Sequence, residues 1–259
     1  MSNNSIGLFD SGVGGLSVLR EIRKSLPKES FIFFADQSHN PYGAKSEKQL
    51  QDLSYRITKF LLGHNIKLLV IACNTATCYA IDYLRSKFKT PIVGVVPAIR
   101  PAVTGTKKGK IAVMCTPATA KSSYLTSLIS DYATFTSVLR LGCKNLEESI
   151  EYLEGGKITK LLDIYTDKIK KFGADVVVLG CTHFPLVRDD IEKGVGPHIK
   201  IIDSGKAVAR RVKFLLAAED DFSTKKLQDQ YFTTGDPQKF SEVASALLKH
   251  KVVARKVFI

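Results

Sequence analysis

The sequence predicts an α/β fold of two similar domains, each with a mostly parallel central sheet flanked by helices, related by a pseudo-twofold and facing one cleft. Three observations predict it. Two cysteines lie in matching settings 108 residues apart, Leu69-Val70-Ile71-Ala72-Cys73-Asn74-Thr75 and Val177-Val178-Leu179-Gly180-Cys181-Thr182-His183. In each, a short apolar run stops at a small residue, then a thiol, then hydrogen-bonding residues, which is how a buried strand delivers a side chain to the carboxyl edge of a sheet. Other strand-like runs recur in the same order. Ile6-Gly7-Leu8-Phe9-Asp10-Ser11 parallels Ile111-Ala112-Val113-Met114-Cys115-Thr116 at an offset of 105 residues. Pro91-Ile92-Val93-Gly94 pairs with Lys200-Ile201-Ile202-Asp203, and Phe31-Ile32-Phe33-Phe34-Ala35 pairs less closely with Phe135-Thr136-Ser137-Val138-Leu139. The order of these elements reads as a duplicated α/β unit. Finally, helical periodicities alternate with the strands.

The first strand, 6–11, runs into Ser11-Gly12-Val13-Gly14-Gly15, a loop that enters a helix near Gly15. It is not a dinucleotide fingerprint, because the third glycine position holds Ser17, and no Walker pattern is present. Glycines there still let backbone N–H groups approach a small anion, and Asp10 stands at the strand's carboxyl end. The second strand, 31–35, leads into Asp36-Gln37-Ser38-His39-Asn40-Pro41-Tyr42-Gly43, whose Pro-Tyr-Gly is also ordinary turn chemistry. Ser46-Glu47-Lys48-Gln49 is a capping box, and Leu50, Leu53, Ile57 and Phe60 form the apolar side of the helix it opens. Ala76, Tyr79, Ala80, Tyr83 and Leu84 mark a helix starting just past Cys73, and Ile158, Leu161, Leu162, Tyr165 and Ile169 mark one ending at Gly173. The order strand, thiol, helix is therefore expected at both cysteines. After residue 206 the pattern gives a helix over 207–216, a strand over 230–234, a helix over 237–248 and a last strand over 252–259. That tail completes the first domain, so the domains are 1–97 plus 207–259, and 98–206.

Composition narrows the setting. No apolar run approaches the ~20 residues of a membrane helix. Residues 1–5 are polar, without the basic and apolar regions of a signal peptide, so a cytoplasmic location is expected. The five cysteines, Cys73, Cys78, Cys115, Cys143 and Cys181, are an odd number in a chain long enough to need no staples, so reduced thiols are expected. No CxxC or HExxH spacing accompanies them, and no metal is expected. The net charge of +13 is scattered in short groups such as Lys107-Lys108 and Arg210-Arg211, which fits a solvated basic surface. A nucleic-acid partner is not expected, whereas an anionic small molecule would be steered in.

Thiolate is the reactive form of cysteine, and a helix amino terminus favours it. Asn74, Thr75, Thr182 and His183 supply hydrogen-bonding groups where an apolar core would want none, and they suit a bound carboxylate. Cys78 and Cys143 read as structural.

Gly7-Leu8-Phe9-Asp10-Ser11-Gly12-Val13-Gly14-Gly15-Leu16, Asn40-Pro41-Tyr42-Gly43, Cys73-Asn74-Thr75-Ala76, Thr116-Pro117-Ala118-Thr119 and Gly180-Cys181-Thr182-His183-Phe184-Pro185-Leu186 together resemble the glutamate racemases, in order from residue 6 to about 206. The cysteine motifs alone resemble the wider aspartate/glutamate racemase superfamily; the glycine loop and Pro-Tyr-Gly narrow the likeness. The resemblance implies a cofactor-independent interconversion of L- and D-glutamate that supplies D-glutamate for peptidoglycan. Inverting a stereocentre through a planar carbanion needs a base on one face and an acid on the other, and one thiol from each half would meet that need. Carried over, Cys73 and Cys181 are the two acid/base thiols, tuned by Asp10 and His183. Asp10, Ser11, Tyr42, Gly43, Asn74, Thr75, Thr116, Thr119, Thr182 and His183 hold the substrate. A glutamate eight residues after a cysteine assists the second thiol in such enzymes. By spacing from Cys143 this is Glu151, with Glu148 the alternative, since the segment 144–150 is more polar than the resemblance leads one to expect. Related enzymes commonly dimerise, so the resemblance is compatible with a homodimer, while the sequence itself does not give the oligomeric state. The remaining readings are a racemase of aspartate or another small acid, and a two-domain ligand-binding protein with structural thiols.

Overall fold

The computed structural model describes residues 3–259. Met1 and Ser2, part of the polar amino-terminal stretch, lie outside the described residues. The first strands and helices are β1 (Ile6–Asp10), α1 (Leu16–Ser25), β2 (Phe31–Ala35), α2 (Glu47–Leu62), β3 (Leu68–Ile71), α3 (Asn74–Lys87) and β4 (Ile92–Gly94). They are followed by α4 (Ile99–Gly105), β5 (Lys110–Cys115), α5 (Pro117–Lys121), α6 (Ser123–Tyr132), β6 (Ser137–Gly142), α7 (Leu146–Glu151), α8 (Gly155–Phe172), β7 (Val176–Leu179), α9 (Arg188–Val195) and β8 (Lys200–Ile202). The chain ends through α10 (Gly205–Ala218), β9 (Gln230–Thr233), α11 (Pro237–Leu248) and β10 (Ala254–Lys256). It divides into two units, one running to Val95 and resuming at Gly205–Ile259, the other Val96–Ser204.

The first unit holds a six-stranded sheet of order β10-β9-β2-β1-β3-β4. Every pairing in it is parallel. β1, β2 and β3 are buried along their whole length, as strands covered on both faces must be. The capping box of α2 forms as read: Ser46 accepts from the Gln49 N–H and Gln49 Oε1 accepts from the Ser46 N–H. Leu50, Leu53, Ile57 and Leu61 turn inward, while Phe60 meets Phe34 and Phe232 edge-on at 5.2 and 5.0 Å.

The second unit holds a four-stranded parallel sheet of order β6-β5-β7-β8. Alternate residues of its strands feed two separate cores. Ala112, Met114, Val177 and Leu179 pack with Leu146, Ile150, Leu162, Ile169 and Ile191 of α7, α8 and α9. Ile111, Val113, Val176 and Val178 pack with Ile99, Ala102 and Leu125 of α4 and α6. A period of two with both faces covered is the doubly wound arrangement.

The four strands of this sheet follow the same second-first-third-fourth order as β2-β1-β3-β4 in the first unit. Corresponding registers agree, Ile6 opposite Leu68 and Ile111 opposite Val176.

Three local expectations are corrected. Phe135 is not in a strand but almost fully exposed in a turn, because Ala133 closes α6 on the Ile129 carbonyl and residues 134–136 are spent reversing the chain before β6. The last strand shrinks to three residues, since Ser245 and Ser241 of α11 take the N–H groups of Val252 and Ala254. The α-helix expected directly after Cys181 is a 3-10 turn, Phe184–Val187, carrying Pro185, and α9 begins only at Arg188. Among the described residues no helix is long and apolar enough to cross a membrane, and no group of three His, Cys, Asp or Glu side chains could hold a metal ion.

Two polar ties fix the frames. Glu29 and Lys67, both almost fully buried, pair at 2.9 Å, and Glu29 also accepts from the Ser223 N–H and hydroxyl at 2.8 Å each. This pins the segment after α10 to the strand entrances of the first sheet. Removing one partner of a buried pair leaves a charge uncompensated. Glu29→Ala is therefore expected to lower unfolding free energy by about 3–5 kcal/mol in urea titration. In the second unit Asp175 accepts from the Thr106 hydroxyl and from the N–H groups of Lys107 and Lys108 at 2.6 and 3.0 Å. Burial pushes its carboxyl up, but these hydrogen bonds outweigh it and the net shift is downward. A carboxyl that ionises at lower pH when folded stabilises fully above its unfolded value and loses that contribution as pH falls through the folded one. Asp175→Asn should thus be less stable than the parent near neutrality, with the gap closing below about pH 4; thermal melts across that range check it.

Candidate active site

Parallel strands end on one edge of their sheet, and the nominated residues of each unit gather there. In the first unit Asp10 closes β1, and its Oδ1 accepts from the Ser11 N–H at 2.6 Å and the Ser11 hydroxyl at 3.2 Å. Asp10 needs the glycine that follows in the loop. A Cβ on Gly15 would lie 2.7 Å from the Asp10 Cβ, closer than real contacts allow, and a tight 3.1 Å from the Ala72 Cβ. Cys73 comes two residues past β3 with extended backbone, as the N-cap of α3, and its Sγ accepts from the Ala76 N–H at 3.5 Å. The helix start thus presents N–H groups to the sulfur, an arrangement that favours negative charge there. Asn74 and Thr75 are buried in the first turn, Asn74 donating to the Val95 carbonyl at 3.3 Å.

The Pro-Tyr-Gly segment forms a 3-10 turn, Tyr42–Ala44. Tyr42 is fully buried and donates its phenol proton to Asp36 Oδ2 at 2.7 Å. Burial first, then the Asp36 carboxylate and its hydrogen bond, then Cys73 and Asp10, all push the phenol well above the ordinary tyrosine range. Cys73 and Asp10 therefore lie near enough to the Tyr42–Asp36 pair for their charges to act on the phenol. The phenol proton of Tyr42 is thus directed at Asp36. Gly43 sits half-buried in the same turn.

In the second unit Cys181 lies two residues past β7. Its Sγ is 3.9 Å from His183 Nδ1, and His183 Nε2 is 2.7 Å from Glu151 Oε2, with the imidazole and carboxylate both about 1 % exposed. A carboxylate accepts, so this network assigns the imidazole proton to Nε2 and turns Nδ1 toward the thiol. Glu151, on the last turn of α7, is the glutamate that reaches His183, whereas Glu148 is only partly buried on that helix. Thr116 caps α5, accepting from the Thr119 N–H at 3.2 Å and donating to the Thr119 hydroxyl at 3.0 Å, and Thr116, Thr119 and Thr182 are all buried.

Cys143 follows β6 with its thiol on the Leu141 carbonyl at 3.4 Å. Burial, with Cys115 nearby, pushes it well up, so it stays a neutral thiol. The structure thus brings together Asp10, Ser11, Tyr42, Cys73, Asn74 and Thr75 in one unit and Thr116, Thr119, Glu151, Cys181, Thr182 and His183 in the other.

Sequence reasoning passed over Asp36. It is fully buried and follows β2 immediately, as Asp10 ends β1, and its N–H donates to the Asp10 carbonyl at 2.9 Å. That position, directly after an apolar strand beside another strand-end carboxylate, was the available signal.

Chemically, each unit offers a thiol next to a group able to orient it or exchange a proton with it. Neither cluster carries a phosphate-binding glycine fingerprint or a metal set.

Comparison with known proteins agrees. The family model described as Asp/Glu/Hydantoin racemase matches residues 6–212. The glutamate racemase of Herpetosiphon aurantiacus is 42 % identical over 251 residues, 95 % of this chain and 99 % of the relative. That of Clostridium novyi is 43 % identical over 211 residues, 80 % of this chain and 82 % of the relative. Among solved structures, the glutamate racemase isoform RacE1 from Bacillus anthracis superposes with TM-score 0.90 at 31 % identity, covering 99 % of this chain and 98 % of that one. The Escherichia coli glutamate racemase, solved with L-glutamate and the activator UDP-MurNAc-Ala, gives 0.86 at 33 % identity, with 98 % of each chain covered.

Commitment of the Tyr42 proton to Asp36 predicts a spectroscopic result. Tyr42→Phe should leave unchanged the tyrosinate absorbance that develops around pH 10, because Tyr42 does not ionise there in the folded protein; an ultraviolet pH titration of both proteins decides it.

Proposed function

The chain belongs to the Asp/Glu/Hydantoin racemase family, and on that premise we propose that it interconverts L- and D-glutamate by cofactor-independent two-thiol acid/base chemistry. The observation that carries the reading is the equivalence of the two thiols. Cys73 and Cys181 each stand two residues past the third strand of a four-strand core of identical order. A reaction that must work equally on both hands of a substrate calls for such a pair.

In the proposed cycle one thiolate takes the Cα proton of one enantiomer, forming an S–H bond as the C–H bond breaks. The opposite thiol gives its proton to the other face of the planar carbanion, leaving a thiolate. No electron is gained or lost, and the enzyme emerges with its two sulfurs in exchanged protonation states, ready for the reverse substrate. Asp10 tunes Cys73. His183, with its proton set by Glu151, tunes Cys181. Ser11, Asn74, Thr75, Thr116, Thr119, Thr182 and the backbone of Tyr42 and Gly43 hold the substrate's carboxylates and ammonium. The basic surface supports attraction of the dicarboxylate. D-glutamate for peptidoglycan is the product's destination under this reading, with the protein acting in the cytoplasm as a homodimer.

The experiment is circular dichroism of the purified protein with L-glutamate and then D-glutamate in D2O, beside Cys73→Ser and Cys181→Ser. Signal should decay from both enantiomers with deuterium entering Cα, and either substitution should slow it by at least about 10²-fold. Racemisation of aspartate with glutamate untouched would move the substrate assignment and leave the chemistry; no exchange with either acid would overturn the reading.

A further inference from the structure

Asp36 is fully buried, and three side chains fill its carboxylate: His39 Nδ1 at 2.8 Å and the Thr234 hydroxyl at 2.9 Å on Oδ1, and Tyr42 at 2.7 Å on Oδ2. His39 and Tyr42 belong to the same loop. Thr234 does not; it follows β9, nearly two hundred residues later, and is itself buried. Its hydroxyl is used twice, donating to Asp36 and accepting the Ser38 N–H at 3.0 Å, and its own N–H donates to the Ala35 carbonyl at 3.1 Å. The neighbours extend the clasp. Thr233 donates to Gln37 Oε1 at 2.8 Å, and a Cβ on Gly235 would lie 2.8 Å from the Gln37 Cβ, so the Gln37 side chain leaves no room for one at 235.

We propose that Thr234 is a positioning residue of the substrate loop: its hydroxyl orients the Asp36 carboxylate, and through Asp36 the Pro41-Tyr42-Gly43 turn. A threonine hydroxyl has one proton to give, and here it goes to the carboxylate oxygen that does not hold Tyr42. Oδ2 is thereby left for the phenol. Without that donor Asp36 Oδ1 keeps only His39, whose ring is about one-third exposed, and the carboxylate is free to rotate away from Tyr42. The effect reaches binding of the substrate, not proton transfer at Cα, because Thr234 touches neither sulfur nor Asp10.

The proposal rests on the glutamate reading for its kinetic arm, so the test has two arms. Steady-state kinetics in both directions are compared for the parent, Thr234→Val, Thr234→Ser, Asp36→Asn and the Val/Asn double variant, and amide hydrogen exchange is followed over residues 37–45. Thr234→Val should raise KM for both enantiomers about tenfold, the effect of one lost hydrogen bond to a charged group, with kcat within about threefold of the parent. Thr234→Ser should restore KM. The double variant should bind little worse than the poorer single one, since both changes act through one carboxylate. Exchange should quicken over 37–45 in Thr234→Val and in Asp36→Asn, and return to the parent rate in Thr234→Ser. An unchanged KM overturns the proposal, as does an activity loss that tracks the folded fraction with exchange quickened throughout the sheet. If the parent leaves glutamate untouched while the exchange pattern holds, the functional reading fails and the tether stands.

Discussion

Parallel register is the constraint on which everything else here depends. When neighbouring strands run the same way, their carboxyl ends fall on one edge, and the residue after each strand is held by a backbone bond to the next strand rather than by helix or turn. Both units show this. Ala72 N–H donates to the Phe9 carbonyl at 2.8 Å and Gly180 N–H to the Met114 carbonyl at 2.7 Å. Asp36 N–H donates to the Asp10 carbonyl at 2.9 Å, and Cys143 N–H to the Cys115 carbonyl at 2.7 Å. A slip of one residue in any strand would turn its terminal side chain to the wrong face. The thiols are thus placed by the sheet, before any local hydrogen bond acts on them.

On that shared frame the two halves have diverged in charge. The ends of the first two strands carry Asp10 and Asp36 in the first unit, and the corresponding ends carry Cys115 and Cys143 in the second. Cys143 is a neutral, desolvated thiol, so the ends of the first two strands of the second unit supply no carboxylate. Its carboxylate comes instead from the last turn of α7, as Glu151, and reaches the thiol through His183. The helix terminus is divided the same way: Cys73 caps an α-helix, while Cys181 leads into a 3-10 turn. What the second thiol lacks in helix start and strand-end acid, the buried imidazole and carboxylate supply.

Much of this was legible in the chain because it rests on short-range rules. Apolar runs ending in Cys, the Ser46–Gln49 capping box and the amphipathic stripe of the helix after it are all local, and they formed where the pattern put them. The misreadings came where a distant partner decides. Phe135 is apolar enough for a strand, yet the length of α6 leaves it in the turn. Residues 252–259 have strand composition, but serines of α11 claim their first N–H groups. Spacing from Cys143 pointed to Glu151 but left Glu148 open, because only the side of α7 that faces His183 decides between them. Asp36 was hidden for a related reason: one aspartate in a polar loop looks like any other until Tyr42 and Thr234 close on it.

The return of the chain to the first sheet acquires a purpose from that closure. A carboxylate taken wholly out of water is tolerable only if each oxygen keeps its donors, and a partly filled network is worse than none. The loop after β2 can supply two of the donors itself, from His39 and Tyr42. The third must come from a neighbouring strand, and the strand beside β2 on that side is β9, after the second unit has been completed. The segment from Gly205 onward is therefore more than an edge cover for the sheet. By pairing Thr233 with Ala35, it brings Thr234 beside Asp36 and Ser38 in fixed register, so the geometry around Tyr42 is completed only when the last fifth of the chain has folded back.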